Sequence, residues 1–233
     1  FHEFPGEAVF SQNPLLHKPK IPVRIAGVLQ QADAVVAISK AVQERCFVLG
    51  AEPDRTVRIG LGVDCRRYAS AAPRPNWLSE IIRPGRYFLF LDRLVPHTGA
   101  DLLLEAYRAL GERRPIHLVI CGEGEQRGAL MAQVAFHQLE GHVHFVGAVG
   151  EQERAYLQQN ALCTVIPARA GEDASRQALE SYAAGVPVIA TQLPGLDDSV
   201  RPRVTGLLVA PASVSALTDA LACLAADRAR AHA

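Results

Sequence analysis

Residues 87–112, YFLFLDRLVPHTGADLLLEAYRALGE, pass from a strand to a helix within one short segment. YFLFL is an unbroken apolar and aromatic run of strand length, whereas ADLLLEAYRALGE repeats its apolar residues at helical spacing. The same alternation continues downstream. IHLVIC (116–121) is followed by a helix through about 139, HVHFV (142–146) by a helix near 151–159, and LCTVIP (162–167) by a helix near 174–184. PVIAT (187–191), GLLVA (206–210) and a last helix from about 213 complete the series. Strands and helices alternating at this spacing predict βαβ units and an α/β fold with a doubly wound, mostly parallel, Rossmann-like sheet. Such a sheet binds ligands outside the carboxyl ends of its strands.

Upstream, ADAVVAIS (32–39) and TVRI (56–59) read as strands on either side of a helix, AVQERCFVLG, closed by Gly50. They predict part of a second α/β unit. SAAPRPNWLSEIIRPG (70–85) is rich in Pro and lacks periodicity, which places a linker at 69–85, between a unit over 1–68 and a domain over 86–233. A unit of that length is short for a complete Rossmann-like domain, and the chain opens on Phe1 rather than Met, so it reads as a fragment.

Hydrophobic residues make up 49% of the 233 residues, enough for a sizeable core. The formal net charge is zero, which argues against a general attraction to nucleic acid or to an anionic membrane and favours a discrete site. The cysteines Cys46, Cys65, Cys121, Cys163 and Cys223 form no C-x-x-C pair and mostly sit in apolar runs, as free thiols in a reducing compartment do. No apolar run approaches membrane-span length and no signal peptide opens the chain, so a cytoplasmic location is expected.

Two carboxylates stand out. Glu172 and Glu180 flank the start of the helix before VPVIA. The ordinary explanation is a good helix former, with Asp173 or Ser175 as its N-cap. The alternative is that the helix start binds a ligand.

ADAVVAISKAVQERC, RIGLGVD, DRLVPHTGADLLLEAYRAL, LVICGEGEQRGAL, HFVGAVGEQERAYLQQNA and AGVPVIATQLPGLDDSVRPRVTGLLV follow one another in an order that resembles glycosyltransferase family 4. The resemblance implies a GT-B fold of two Rossmann-like domains, the C-terminal one holding a nucleoside-diphosphate sugar and the N-terminal one the acceptor. It implies a retaining transferase that moves a sugar to a glycan, lipid or small-molecule acceptor, in polysaccharide or glycoconjugate biosynthesis. The donor, of UDP or GDP type, is a substrate, and neither a cofactor nor a metal is implied. A peripheral membrane association through an N-terminal part absent from this chain is compatible with it.

Glu172 and Glu180 match the two ends of the family's E-x7-E motif, the first facing the transferred sugar and the second the ribose hydroxyls. Eight helical residues rise about 12 Å, a fair separation for two sugars flanking a diphosphate. Arg93 matches a diphosphate-binding Arg, and His2 a His near the anomeric carbon; with Glu172 they are the implied catalytic residues. The implied substrate-binding residues continue through Gly62, in a loop facing the interdomain cleft on the acceptor side, and through Gly122, Gly124, Gly147, Ala148 and Val149 beside the nucleotide. Two departures stand out. Asp173-Ala174-Ser175-Arg176-Gln177 replaces a glycine-rich segment, and Thr98 stands where the family has a Lys. Neighbouring His97, or Arg176 across the cleft, is the candidate to restore that charge; a non-catalytic donor-binding or scaffold protein is the alternative outcome.

Other chemistries fit less well. In CGEGEQRG the third glycine, Gly128, falls one position late for a dinucleotide fingerprint, and Glu123 and Glu125 would oppose a pyrophosphate. No G-x-S-x-G elbow occurs, and His137, His142 and His144 lack the companions of a zinc site.

Overall fold

A computed structural model describes residues 20–80, 82–111, 116–169, 174–196 and 199–226. They fall into two compact units that divide between Leu61 and Gly62.

The smaller unit contains α1 (Lys20–Gln31), β1 (Val35–Ala37), α2 (Lys40–Val48) and β2 (Thr56–Arg58). The strands are parallel, Val36 pairing with Val57. Ser39 caps α2, its Oγ accepting from Val42 N at 3.1 Å, and Gly50 at φ 96° ends the turn that follows. Helix α1 carries little propensity signal because Gly27 lies in its interior. Pro22 is tolerated because it falls in the first turn, where an N–H has no partner to lose.

The larger unit contains β3 (Tyr87–Leu91), α3 (Ala100–Ala109), β4 (His117–Cys121), α4 (Arg127–Phe136), β5 (Val143–Gly147), α5 (Glu151–Asn160), β6 (Cys163–Ile166), α6 (Ala174–Ala183), β7 (Val188–Thr191), β8 (Gly206–Val209) and α7 (Val214–Ala226). Among the described residues its sheet has six strands in the order β5-β4-β3-β6-β7-β8, all parallel. The chain winds outward from β3 to β5, returns to the other side of β3 as β6, and winds outward again. The order therefore reverses between β3 and β6, and a doubly wound sheet opens its ligand crevice at that switch point.

The apolar runs are continuous because both faces of the sheet are covered. Phe88, Phe90, Leu118, Ile120 and Val165 pack with Leu103, Tyr107, Leu130 and Leu221 of α3, α4 and α7. The alternate residues Tyr87, Leu89, Leu91, Val119 and Cys121 pack on the opposite face with Tyr156 and Leu157 of α5. Leu78 and Ile82 join that second layer, so the Pro-rich stretch at 69–85 lies against the larger unit. It is pinned there: Gln159 of α5 accepts from Ala72 N at 2.9 Å and donates to Ser70 O at 2.9 Å. Arg74 reaches Tyr156 Oη at 3.0 Å and Ser79 O at 2.9 Å.

Candidate functional site

At the switch point, the loop leaving β3 is tied to the start of α6. Asp92 Oδ1 accepts from Arg93 N at 2.7 Å, and Asp92 Oδ2 accepts from Gln177 Nε2 at 2.6 Å. Gln177 is buried and belongs to the first turns of α6. Arg93 is exposed and takes part in none of the ion pairs among the described residues. Thr98 is buried, with its Oγ1 2.7 Å from Arg93 O and 2.8 Å from Val95 O, so its single hydroxyl proton stays within the loop. Gly99, at φ 76°, lies against the end of β6; a Cβ there would stand 2.0 Å from Pro167 O.

A second tie holds the loop leaving β6. Arg169 donates to both carboxylate oxygens of Asp101, at 2.6 and 2.8 Å, and to Pro96 O at 2.9 Å, while its N–H donates to His97 O at 2.8 Å. Burial pushes the Asp101 carboxyl up, but the bidentate Arg169 outweighs it and the net direction is downward.

The glycines after β4 serve backbone packing. A Cβ on Gly122 (φ 132°) would lie 1.8 Å from Asp92 O, and one on Gly124 would lie 2.2 Å from Leu94 O. Gly122 N donates to Gly147 O at 2.8 Å, which brings the ends of β4 and β5 together. Gly147 (φ 72°) lies beside Glu123, Ala148 is exposed, and Val149 is half-buried. Gly62 is exposed, with no neighbour within 4 Å of where its Cβ would stand.

Helix α6 is fixed to its surroundings by Ser175, which donates to Gly195 O at 2.9 Å, and by Ser181, which donates to Thr164 Oγ1 at 2.8 Å. Its Arg176 and Glu180 share one face, four residues apart. They line a cavity of about 340 Å³ with Arg67, Tyr68 and residues 70–73, and with Glu151, Gln152, Arg154 and Ala155 of α5. Glu180 is 4% exposed. Its Oε1 accepts from Arg176 Nε at 3.2 Å, and its Oε2 stands 2.6 Å from Arg154 Nη2. That second pair is a close ionic contact rather than an aligned hydrogen bond, since neither Glu180 Oε2 nor Arg154 Nε has a hydrogen-bond partner among the described residues. Tyr68 donates to Gln158 at 2.7 Å; burial, and then the charge of Glu180, push its phenol up. At the rim, Arg67 pairs with Glu151 at 3.1 Å. The walls thus carry three arginines and one further glutamate, Glu151, around the buried Glu180 carboxylate.

Of the residues singled out from the sequence, His2, Glu172 and Asp173, with the side chain of Ala174, lie outside the described residues. Arg93 and Thr98 share one loop, and Arg176 and Glu180 share one cavity. The guanidinium of Arg176 is directed along α6 toward Glu180. Asp92, Gln177, Arg154 and the Arg169–Asp101 clamp escaped sequence reasoning. Their partners lie on other elements, and no local spacing announces them. Among the described residues, no group of three or more His, Cys, Asp or Glu side chains could hold a metal ion.

Comparison with known proteins agrees with this architecture. A D-inositol 3-phosphate glycosyltransferase of Frankia alni is 30% identical over 219 residues, covering 88% of this chain and 54% of that protein. A glycogen synthase of Mycobacterium tuberculosis is 29% identical over 210 residues, covering 88% of this chain and 48% of that one. The chain spans about half the length of these curated relatives. Anabaena HepE in complex with UDP and glucose has the same fold at a TM-score of 0.79 and 19% identity, over 96% of this chain and 61% of that one. Sucrose-phosphate synthase from Thermosynechococcus elongatus follows at 0.76 and 24%, over 91% and 53%. The family model described as glycosyl transferases group 1 matches residues 79–233, and the chain belongs to that family.

Proposed function

We propose that this chain carries the donor half of a retaining family 4 glycosyltransferase, which moves a sugar from a UDP- or GDP-type donor to a glycan, lipid or small-molecule acceptor. The biosynthesis of a polysaccharide or glycoconjugate in the cytoplasm is its setting. The observation that carries the proposal is Glu180, a carboxylate 4% exposed in the wall of a cavity of about 340 Å³. There it accepts ribose hydroxyls. The start of α6 and Arg93 take the diphosphate, since helix N-termini offer free N–H groups and positive potential to anions. Gly147, Ala148 and Val149 border the base, and Glu172 faces the sugar. The crystal of Anabaena HepE with UDP and glucose supports a donor of this class on this fold.

In the reaction the bond from the anomeric carbon to the donor phosphate oxygen breaks, and a bond from that carbon to the acceptor oxygen forms on the same face. The acceptor's proton passes to the departing phosphate. Arg93 stabilises charge that grows on that phosphate, which favours the transition state over the ground state. Glu172 and His2 position the sugar. No resident cofactor enters the reaction, and the chain alone binds donor without transferring sugar.

Calorimetric titration of UDP and GDP into the wild-type chain and into Glu180→Gln tests the assignment. Loss of a charge-assisted acceptor weakens binding by about ten-fold or more. Unchanged affinity rejects the ribose role.

A second reading, a non-catalytic donor binder, is favoured by Thr98, whose hydroxyl is held inside its loop and offers no charge. Release of sugar from UDP- or GDP-sugars by the intact protein decides against it.

A further inference from the structure

Glu180 meets two guanidinium groups that differ in freedom. The side chain of Arg176 is 66% exposed and that of Arg154 is 34% exposed, against 6% for Glu180. An exposed partner four residues away on one helix holds weakly. Arg154 comes from another helix and approaches the second oxygen at 2.6 Å, so Glu180 keeps a counter-charge when Arg176 moves. A buried carboxylate stripped of every partner would be costly, and this arrangement avoids that cost.

Arg176 also stands in the first turn of α6, two residues from Ala174. That is about 3 Å of helix rise, well within the span of an extended arginine. The start of the helix attracts anions, and Thr98, whose hydroxyl is held within the loop after β3, supplies no charge to them.

We infer, building on the donor site proposed above, that Arg176 is a two-position residue that reads whether a ligand carries phosphate. In this structure its guanidinium covers Glu180 Oε1. A nucleoside diphosphate takes that oxygen with a ribose hydroxyl and draws the guanidinium to its phosphates at the start of α6. A nucleoside competes for the same oxygen but gives the displaced guanidinium no new partner. Arg176 therefore opposes nucleoside binding and favours diphosphate binding, and the donor site gains selectivity against nucleosides.

Titrations of the full chain with uridine and UDP, and with guanosine and GDP, separate these effects. Arg176→Ala is expected to bind the nucleoside about two-fold more tightly, because a weak exposed competitor is gone. It is expected to bind the diphosphate about ten-fold more weakly, because a charge-assisted contact is lost. Arg176→Gln, which keeps a polar but shorter side chain without charge, should change both affinities in the same directions. Equal shifts for nucleoside and diphosphate, or no shift in either, overturn the inference. Glu180→Gln, measured alongside, separates the two levels of failure. If it weakens both ligands while Arg176→Ala fails to split them, the donor site stands and the role of Arg176 falls. If it changes neither, or if wild type binds neither pair, the donor site and this inference fall together.

Discussion

Replacing Arg154 by Met removes the charge facing Glu180 Oε2 and keeps an unbranched apolar stem in place. Leaving a buried ion without its partner costs about 3–5 kcal/mol when both groups are buried. Here the Arg154 side chain is 34% exposed and Arg176 remains on Oε1, so the expected loss is smaller. We expect about 1.5–3 kcal/mol of the larger unit's stability. Urea unfolding with a slope of about 2 kcal/mol per molar then shifts its midpoint down by about 1 M. The single tryptophan reports this transition locally, since Trp77 donates its indole N–H to Glu153, the neighbour of Arg154 on α5. A double-mutant cycle isolates the charge. In a Glu180→Gln background the neutral amide needs no counter-ion, and Arg154→Met should cost less than about 1 kcal/mol. A loss below about 0.5 kcal/mol in wild type, or the same loss in both backgrounds, would refute the assignment of Arg154 as Glu180's principal counter-charge.

Gly124→Ala should destabilise by about 3 kcal/mol, because its Cβ would meet the immovable Leu94 carbonyl at 2.2 Å. Gly128→Ala, in the first turn of α4 with nothing within 4 Å, should stabilise by about 0.5–1 kcal/mol, and thermal unfolding of the pair checks the contrast. Acid should also weaken the fold through His117 and His144, whose ring nitrogens stand 3.0 Å apart and whose pKa values are lowered from 6.5 by burial and then by neighbouring histidines. A base held neutral in the fold contributes stability that is complete above its unfolded pKa and is lost as the pH falls below it. Urea midpoints should decline below pH 6.5, and the decline should flatten in His144→Gln; an unchanged profile would remove these histidines from the account.

The sheet was legible because burial on both faces turns its strands into continuous apolar runs bounded by polar turns. YFLFL, HLVIC and CTVI need no partner information to be recognised. The stretch at 69–85 misleads for the converse reason. Its prolines and weak periodicity suit a linker, yet Leu78 and Ile82 are core residues, and its backbone is satisfied by Gln159 from a helix far along the chain. Periodicity reports burial only where the backbone is regular. Irregular segments that bury isolated side chains leave no periodic trace.

Glycine and threonine near the site show a second limit. The family resemblance places Gly122 and Gly124 beside the nucleotide. The need for glycine is nonetheless met by the Asp92 and Leu94 carbonyls, which leave no room for a Cβ. A glycine in a binding loop is therefore ambiguous until its neighbours are known, because close approach of backbone and of ligand demand the same missing atom. Thr98 is ambiguous in the opposite sense. As a sequence change it removes a cation, while in the fold its hydroxyl bonds to the loop's own carbonyls, so the local shape is kept as the charge is lost. In the proposed donor site, the cations for a diphosphate come from side chains free to turn toward it. Among the described residues flanking the switch point, Arg93 has no ion-pair partner, and Arg176, its own side chain 66% exposed, pairs with the buried Glu180 four residues along the same helix. On that ground we assign the missing charge to Arg176, the more exposed partner of a carboxylate that Arg154 also faces.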